Sequence, residues 1–411
     1  MARDRVVAVV LAGGQGSRMD VLTRERAKPA MPFGGVYQLV DFPLSNLHHS
    51  RIEDVWLSVQ YQSNSIADQV ANGRPWDLDR TRGGLRLLPP QQGVGAVEDG
   101  LATGNADVLF RQRDIIWEAD PDLLVVLSAD HVYRFDLNDA IDTHRAKGAD
   151  CTVVTSVVPR EQAGNHATVT ANRLHRVTAF DHKPARPRTG VVATEIFVYR
   201  PSALIDTLEQ LHRELDGKTE DEADDGSGLG DFGHHLLPRM VEQGSVYEHR
   251  MPGYWKDVGR PESYFAAHRD LLMGEVGLLD EPGWPILTRD LQRAPTRIRH
   301  GARVAESMIS PGCRIEGTVR RSVLGPGVVV EPHAVVSDSI VLADSKVGSN
   351  ARVMWSIIDS CVRIEAGARL GGRPAGDLPT DDELTLVGRD ATIGQAVTLG
   401  KGARLEPGTV A

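Results

Sequence analysis

Between Val6 and about Met273, short runs of β-branched residues alternate with amphipathic segments. That rhythm predicts a sheet with helices packed on its faces, an α/β architecture. Residues 6–12, 55–59 and 123–127 read as buried strands, each followed by a loop and a helical pattern. Further strands are expected at 152–158, 176–181 and 192–199. The clearest helical periods span 106–118, 137–147 and 261–272, the last with a proline in its first turn. Two polar, glycine-rich stretches, 72–99 and 216–231, have no usable period and are expected to be loops.

The pattern changes across 282–295, and beyond it lies an internal repeat. A shift of 17 residues aligns Val319, Val336, Val353 and Leu370; Leu324, Val341 and Ile358; Val330, Val347 and Ile364; and the small residues Ala334, Ala351 and Ala368. Apolar positions fall five or six apart within each unit, and in the tail Ile393, Leu399 and Leu405 are six apart. Three short strands per turn are implied. A lone short strand cannot bury its apolar face, so stacked coils must make the core, with small residues at the tight corners. Residues 297–411 therefore read as a parallel β-helix, interrupted by an insertion at 371–389. The chain divides into a first domain at 1–281, a linker at 282–296 and the β-helix at 297–411.

Composition narrows the function. With 46 Lys and Arg against 56 Asp and Glu, the 411-residue chain carries a formal charge of −10. It lacks the basic density with which duplex-binding surfaces displace counterions, so no nucleic-acid partner is expected. Three widely separated cysteines, Cys151, Cys313 and Cys361, argue against a disulfide framework or a cysteine-based zinc site and point to a reducing, cytoplasmic setting. The apolar start breaks at glycines before any cleavage pattern, and no run approaches a membrane span, so neither export nor membrane insertion is expected.

Candidate chemistry begins directly after the first strand, at Leu11-Ala12-Gly13-Gly14-Gln15-Gly16-Ser17-Arg18. Glycines let backbone N–H groups approach phosphate oxygens closely, and a following helix N-terminus would add a favourable dipole. A dinucleotide fingerprint would need glycine at Met19, and no Gly-Lys-Ser/Thr follows for a P-loop. A purely structural glycine turn has the same composition. Residues 1–51, however, hold seven Arg or Lys against four acids, a local +3 on an acidic chain. Such a patch attracts an anionic substrate that the overall field would repel. Asp130 follows an apolar strand, at the end where open α/β sheets bind ligands. An aspartate there can equally be a helix cap.

The motifs LAGGQGSR, RAKPAMPFGG, Asp41-Phe42-Pro43-Leu44-Ser45-Asn46, Ser128-Ala129-Asp130-His131-Val132-Tyr133 and Tyr254-Trp255-Lys256-Asp257-Val258-Gly259 occur in that order, ahead of the repeat. The whole chain thereby resembles the bacterial ADP-glucose pyrophosphorylases (glucose-1-phosphate adenylyltransferases), within the sugar-phosphate nucleotidyltransferases. The resemblance implies a Rossmann-like, GT-A-like mixed-sheet domain followed by a left-handed β-helix, assembled as a homotetramer that can answer to a small-molecule effector. It implies transfer of an adenylyl group from ATP to glucose 1-phosphate, with release of pyrophosphate, for glycogen synthesis. By the same resemblance Leu11, Ala12, Gly13, Gly14 and Gly16 cradle the nucleotide, and Arg18 and Lys28 hold the triphosphate. Gln91, Gln92 and the segment Gly104-Asn105-Ala106-Asp107 surround the base, Lys183 grips the sugar phosphate, and Asp130 and Asp257 bind Mg²⁺.

On the sugar side the chain departs from the family pattern. It has His166-Ala167 where relatives carry Phe-Gly, His182 where Glu precedes Lys-Pro, and Ala193-Thr194-Glu195 in place of Ser-x-Gly. After the first loop it continues Met19-Asp20-Val21-Leu22-Thr23 in place of Leu-x-Pro-Leu-Thr. Two further readings follow: a regulatory subunit of the same fold with weak chemistry, and an acyltransferase β-helix using His333. The retained Lys28, Asp130, Lys183 and Asp257 favour the enzyme over the first. A lone histidine at a corner is weak support for the second.

Overall fold

Seven apolar residues, Val-Val-Ala-Val-Val-Leu-Ala, form the central strand β1 (Val6–Ala12). Val7, Val9 and Leu11 enter one hydrophobic layer and Ala8, Val10 and Ala12 the other, so both faces of the sheet are covered. The computed structural model describes residues 4–14, 16–90, 101–215, 229–274 and 276–411. A small hairpin, β2 (Pro32–Phe33) and β3 (Tyr37–Gln38), leads into helix α1 (Asp41–His49). Then come β4 (Asp54–Val59), α2 (Ser63–Val70), β5 (Gly84–Leu88), α3 (Asn105–Arg111), α4 (Arg113–Ala119), β6 (Leu123–Ser128), β7 (His131–Tyr133) and α5 (Leu137–Lys147). The remaining elements of this part are β8 (Cys151–Val157), β9 (Thr168–Ala171), β10 (Val177–Asp181), β11 (Val191–Tyr199), α6 (Pro201–Leu215), α7 (Leu236–Gln243), β12 (Val246–Arg250), β13 (Trp255–Asp257) and α8 (Pro261–Leu272).

The main sheet runs β10-β9-β11-β6-β1-β4-β5, with β8 on β11 and β12 on β8. Its β6, β1, β4 and β5 are parallel, and β11 joins β6 antiparallel. Two expectations are corrected here. The stretch 72–99 is not all loop, because Gly84–Leu88 is an edge strand whose alternating Gly-Leu-Arg-Leu-Leu pattern pairs with β4. The helix expected over 106–118 breaks at Gln112, whose backbone leaves the helical region while its side chain turns inward to donate to Ser58 Oγ at 2.8 Å.

From Arg297 onward the chain winds into three six-stranded parallel sheets. Val319 stacks on Val336, Val336 on Val353 and Val353 on Leu370, the 17-residue register of the sequence. This is a parallel β-helix of the left-handed hexapeptide kind. Ser322, Ser339 and Ser356 form a ladder, the Ser322 and Ser339 hydroxyls each accepting from the next serine's N–H. The insertion ends earlier than expected: Thr385–Val387 is the third strand of its coil, pairing Ser356 with Thr385, 29 residues on instead of 17.

The two parts share a core. Met19, Leu22 and Phe265 pack in one apolar cluster with Ile340, Ile357 and Leu386. Beside it, Arg26 and Asp359 form a buried ion pair at 2.5 Å, and Arg404 Nε donates to Asp20 at 2.8 Å. Between α8 and Arg297 the described residues form no helix or strand. They run as a strap in which Leu287 N–H donates to Ser45 Oγ and Trp284 Nε1 to Asn46 Oδ1.

Candidate active site

The strand β6 ends at Ser128, and the chain reverses through Ala129 and Asp130 into β7. There β13 pairs antiparallel with β7, setting Asp257 opposite His131. A short ladder thus joins two acidic motifs far apart in sequence. Oxygen or nitrogen atoms of Asp130, His131 and Asp257 all lie within 4.8 Å of one another. His131 Nδ1 contacts the Thr194 carbonyl at 3.0 Å, which turns Nε2 toward Asp130, 3.5 Å away, and Asp257, 3.8 Å away.

Lys28 enters this cluster from a single 3₁₀ turn, Lys28–Ala30. Its side chain is buried, donating to Asp130 Oδ2 at 2.6 Å with Asp257 Oδ1 at 3.7 Å. Burial alone would lower its pKa, but the two carboxylates outweigh it and hold the ammonium above its ordinary range. Conversely, burial alone would raise Asp130. The Lys28 and His131 charges, with hydrogen bonds from Lys28 and Ser128, keep its carboxyl far below the usual range. Asp257 is likewise held low against its burial, by Lys28 and His131. His131 is raised, because Asp130, Asp257 and Glu195 overcome its desolvation. The cluster is therefore a set of formal charges that a polyanion or a cation can rearrange.

A narrow cavity lined by His131 and Asp257 adjoins it, and a larger one shares Asn105 and Asp231 with that cavity's walls. The larger, about 810 Å³, is lined by Gly13, Gly14, Gln60, Tyr61 and Gly104 among others. A side chain at Gly104 would collide with the backbone of Gly230, 2.3 Å from the position of its Cβ, so glycine is required by close approach. Leu11 and Ala12 are buried in β1 and bring core side chains to opposite faces. Gly16, at φ +66°, turns the chain against Lys28 and Thr23 and does not line either cavity. The expected helix dipole after the glycine loop is absent: Ser17–Thr23 is a 3₁₀ segment kinked at Asp20, so its peptide dipoles do not align. Ala106 and Asp107 are buried within α3, where Asp107 pairs with Arg111. Gln91 and Gln92 lie outside the described residues.

The smaller cavity, about 60 Å³, brings together Arg18, His166, His182, Lys183, Ala193 and Glu195, with Asp257 at its edge. Residues that the sequence marks as departures on the sugar side thus share one wall. His166 Nδ1 lies 3.8 Å from Asp257, and His131 and His166 both meet Trp255 edge to face. Burial, with the nearby Lys183, lowers the pKa of His182, and burial lowers that of His166 despite Asp257. Thr194 points away and donates to the Val154 carbonyl. Glu195 sits in the bulge of β11 at φ +56°, a left-handed conformation that disfavours any residue but glycine by about 1 to 3 kcal/mol. Burial and the carboxylates of Asp130, Asp257 and Asp231 raise its pKa against the pull of His131.

Sequence reasoning left several of these residues without a role. His131 stood inside a quoted motif, adjacent to Asp130. Gln60 and Tyr61 follow the carboxyl end of β4, the edge where parallel sheets open to ligands, and that rule points to them. Nothing in the sequence signals that Asp231 reaches both cavities.

Residues 7–274 match the family model described as nucleotidyl transferase, and residues 295–385 match the one described as GlmU-like, C-terminal hexapeptide. Among the described residues no helix is long and apolar enough to cross a membrane. The chain is 35% identical over 367 residues to the glucose-1-phosphate adenylyltransferases of Bacillus thuringiensis (strain Al Hakam) and Bacillus mycoides (strain KBAB4), covering 89% of this chain and 94% of each relative. That of Bacillus anthracis matches to the same extent. A mixed sheet ending in a lysine-carboxylate cluster, a stacked hexapeptide coil and relatives matched almost end to end agree, and the chain belongs to the nucleotidyl transferase family, among its glucose-1-phosphate adenylyltransferases.

Proposed function

We propose that the protein transfers the adenylyl group of ATP to a sugar 1-phosphate of the glucose class, giving an ADP-sugar and pyrophosphate. What carries this reading is the Lys28-Asp130-His131-Asp257 cluster beside a narrow cavity that shares Asn105 and Asp231 with a roomy one. In this reading Gly13, Gly14 and Gly104 line the nucleotide side, and Gln91 and Gln92 belong to it by the family resemblance. Lys183, with His182, Ala193 and Glu195, forms the acceptor side. A phosphate oxygen of the acceptor attacks the α-phosphorus as the bond to the pyrophosphate oxygen breaks. The nucleophile is already an anion, so the site must position and neutralise charge more than move protons. Lys28 and Arg18 supply positive charge from the triphosphate side and Lys183 from the acceptor side.

Asp130 and Asp257 are hard oxygen donors within reach of one ion, a donor set that fits Mg²⁺, with the ring of His131 turned toward them. Bound there, Mg²⁺ supplies charge neutralisation at the reacting phosphates. Lys28 releases Asp130 when the triphosphate takes up its ammonium, so cation and polyanion enter as a matched set. Residues 1–281 carry the chemistry, 282–296 strap the parts together, and 297–411 brace the first part and assemble a cytoplasmic homotetramer under the control of a small-molecule effector.

The test is pyrophosphate release across five nucleoside triphosphates and a panel of sugar 1-phosphates, with and without Mg²⁺. ATP with one sugar 1-phosphate, in Mg²⁺, is the expected active pair. Absence of release from every pair overturns the reading. If nucleotide still binds, the altered acceptor wall favours a regulatory subunit acting through an active paralogue.

A further inference from the structure

The carboxylate of Glu195 has no stated work in the reaction, and its surroundings are unusual. It faces the acceptor cavity from a backbone conformation that glycine would hold without strain. Among the described residues no hydrogen bond or ion pair is made to it. Its oxygens are not among the Asp130-His131-Asp257 ligand atoms that cluster within 4.8 Å, although the charges of all three residues act on it. Arg18 and Lys183 line the same cavity, yet neither is within ion-pair distance of it. A strained position kept for a carboxyl group without a hydrogen-bond partner in a ligand cavity points to a partner that arrives with the ligand.

We propose that Glu195 makes the acceptor site selective for a sugar 1-phosphate carrying a protonated amino group. The inference rests on the nucleotidyltransferase reading above and names the acceptor class. Lys183 answers the phosphate, while the ammonium answers Glu195, so the two ends of the acceptor meet opposite charges in one cavity. An uncharged hexose leaves the carboxylate desolvated and unpaired, a penalty the amino sugar avoids. His166 and Glu195 both line this cavity of about 60 Å³.

The experiment compares glucose 1-phosphate with its 2-, 3-, 4- and 6-amino derivatives, with N-acetylglucosamine 1-phosphate as a control of similar placement but no charge. With ATP and Mg²⁺, one amino derivative should exceed glucose 1-phosphate in kcat/KM by about tenfold to a hundredfold, the range of one charge-assisted hydrogen bond. The N-acetyl control should show no such gain. Glu195→Gly, which relieves the backbone, and Glu195→Gln, which keeps the shape, should both bring the ratio to within about threefold while ATP affinity stays unchanged. Equal or better use of glucose 1-phosphate by the parent, or a ratio unmoved in both variants, overturns the inference and leaves the nucleotidyltransferase reading standing. If no acceptor turns over, calorimetry with the same ligands on the ATP-loaded protein decides. Tighter binding of an amino derivative that is lost in Glu195→Gly supports the inference, and no preference overturns it.

Discussion

Arg26 lies two residues before Lys28 and pairs with Asp359 of the β-helix, with side-chain exposures of only 7% and 1%. Replacing Arg26 by methionine preserves much of its volume but strands Asp359, whose other hydrogen bond comes from Ser360 N–H. Breaking a buried pair from one side costs about 3 to 5 kcal/mol, because a desolvated charge is left without its partner. Burial raises the Asp359 pKa despite the Arg26 charge, so the pairing does not fully offset the desolvation of the carboxylate. Removing both members, as Arg26→Met with Asp359→Leu, should therefore return most of the loss and leave a deficit of about 1 kcal/mol. Thermal and urea unfolding of the four proteins completes the cycle, and a coupling of about 2 kcal/mol or more is expected. Pyrophosphate release is measured alongside, since a shift of the 26–28 segment moves Lys28 off Asp130; the single variant should lose activity that the double variant regains. A double variant no more stable than Arg26→Met, or a harmless Arg26→Met, would refute the reasoning.

Other outcomes follow from the same structure. Asp130→Asn should lower kcat by about 10²-fold or more at saturating Mg²⁺ with the fold intact by circular dichroism, and turnover within threefold of the parent would count against Asp130 as a metal ligand. Asp41 is fully buried and its pKa is pushed up to about 7, chiefly by desolvation. Its acid form is thus favoured in the folded state, and stability falls as pH rises from about 4 through 7, by on the order of 4 kcal/mol in all. The Tm advantage of Asp41→Asn over the parent should grow from pH 5 to pH 8, and a flat difference would contradict this. Truncation before Pro295 uncovers Met19, Leu22 and Phe265 where they meet the β-helix, so light scattering should show aggregation; a monodisperse fragment with the full-length subunit number would argue otherwise.

The coil register was readable because stacking places every seventeenth residue in one environment, and Val319, Val336 and Val353 can satisfy it only by lying on one another. The end of the insertion was not, because Thr385–Val387 rejoins its sheet at an offset that no periodicity announces. Strand β5 was hidden by its edge position, where half-buried alternation looks like loop polarity. The break at Gln112 depends on a bond to Ser58, a tertiary partner that local propensity does not see. At the site, motif order picked out Lys28, Asp130 and Asp257, whereas the shared wall of His166, His182 and Glu195 needed two loops and the bulge of β11 to converge. The dipole expected after the glycine loop failed because Asp20 kinks the only turn available to supply it.

The β7–β13 ladder has a consequence for the order in which the protein is made. It is a two-stranded sheet apart from the main one, and such pairs are marginal on their own in water. Asp257 follows Asp130 by 127 residues, so a nascent chain displays its glycine loop and Lys28 long before the second carboxylate exists. A chain that stops short of residue 257 has Lys28 and Asp130 without the second carboxylate, and on the proposed reading cannot spend nucleotide. Once both strands are present, any cation held between them favours the closed ladder by mass action. An ion bound there would clasp two strands made far apart in time, and its affinity would report whether the ladder has closed.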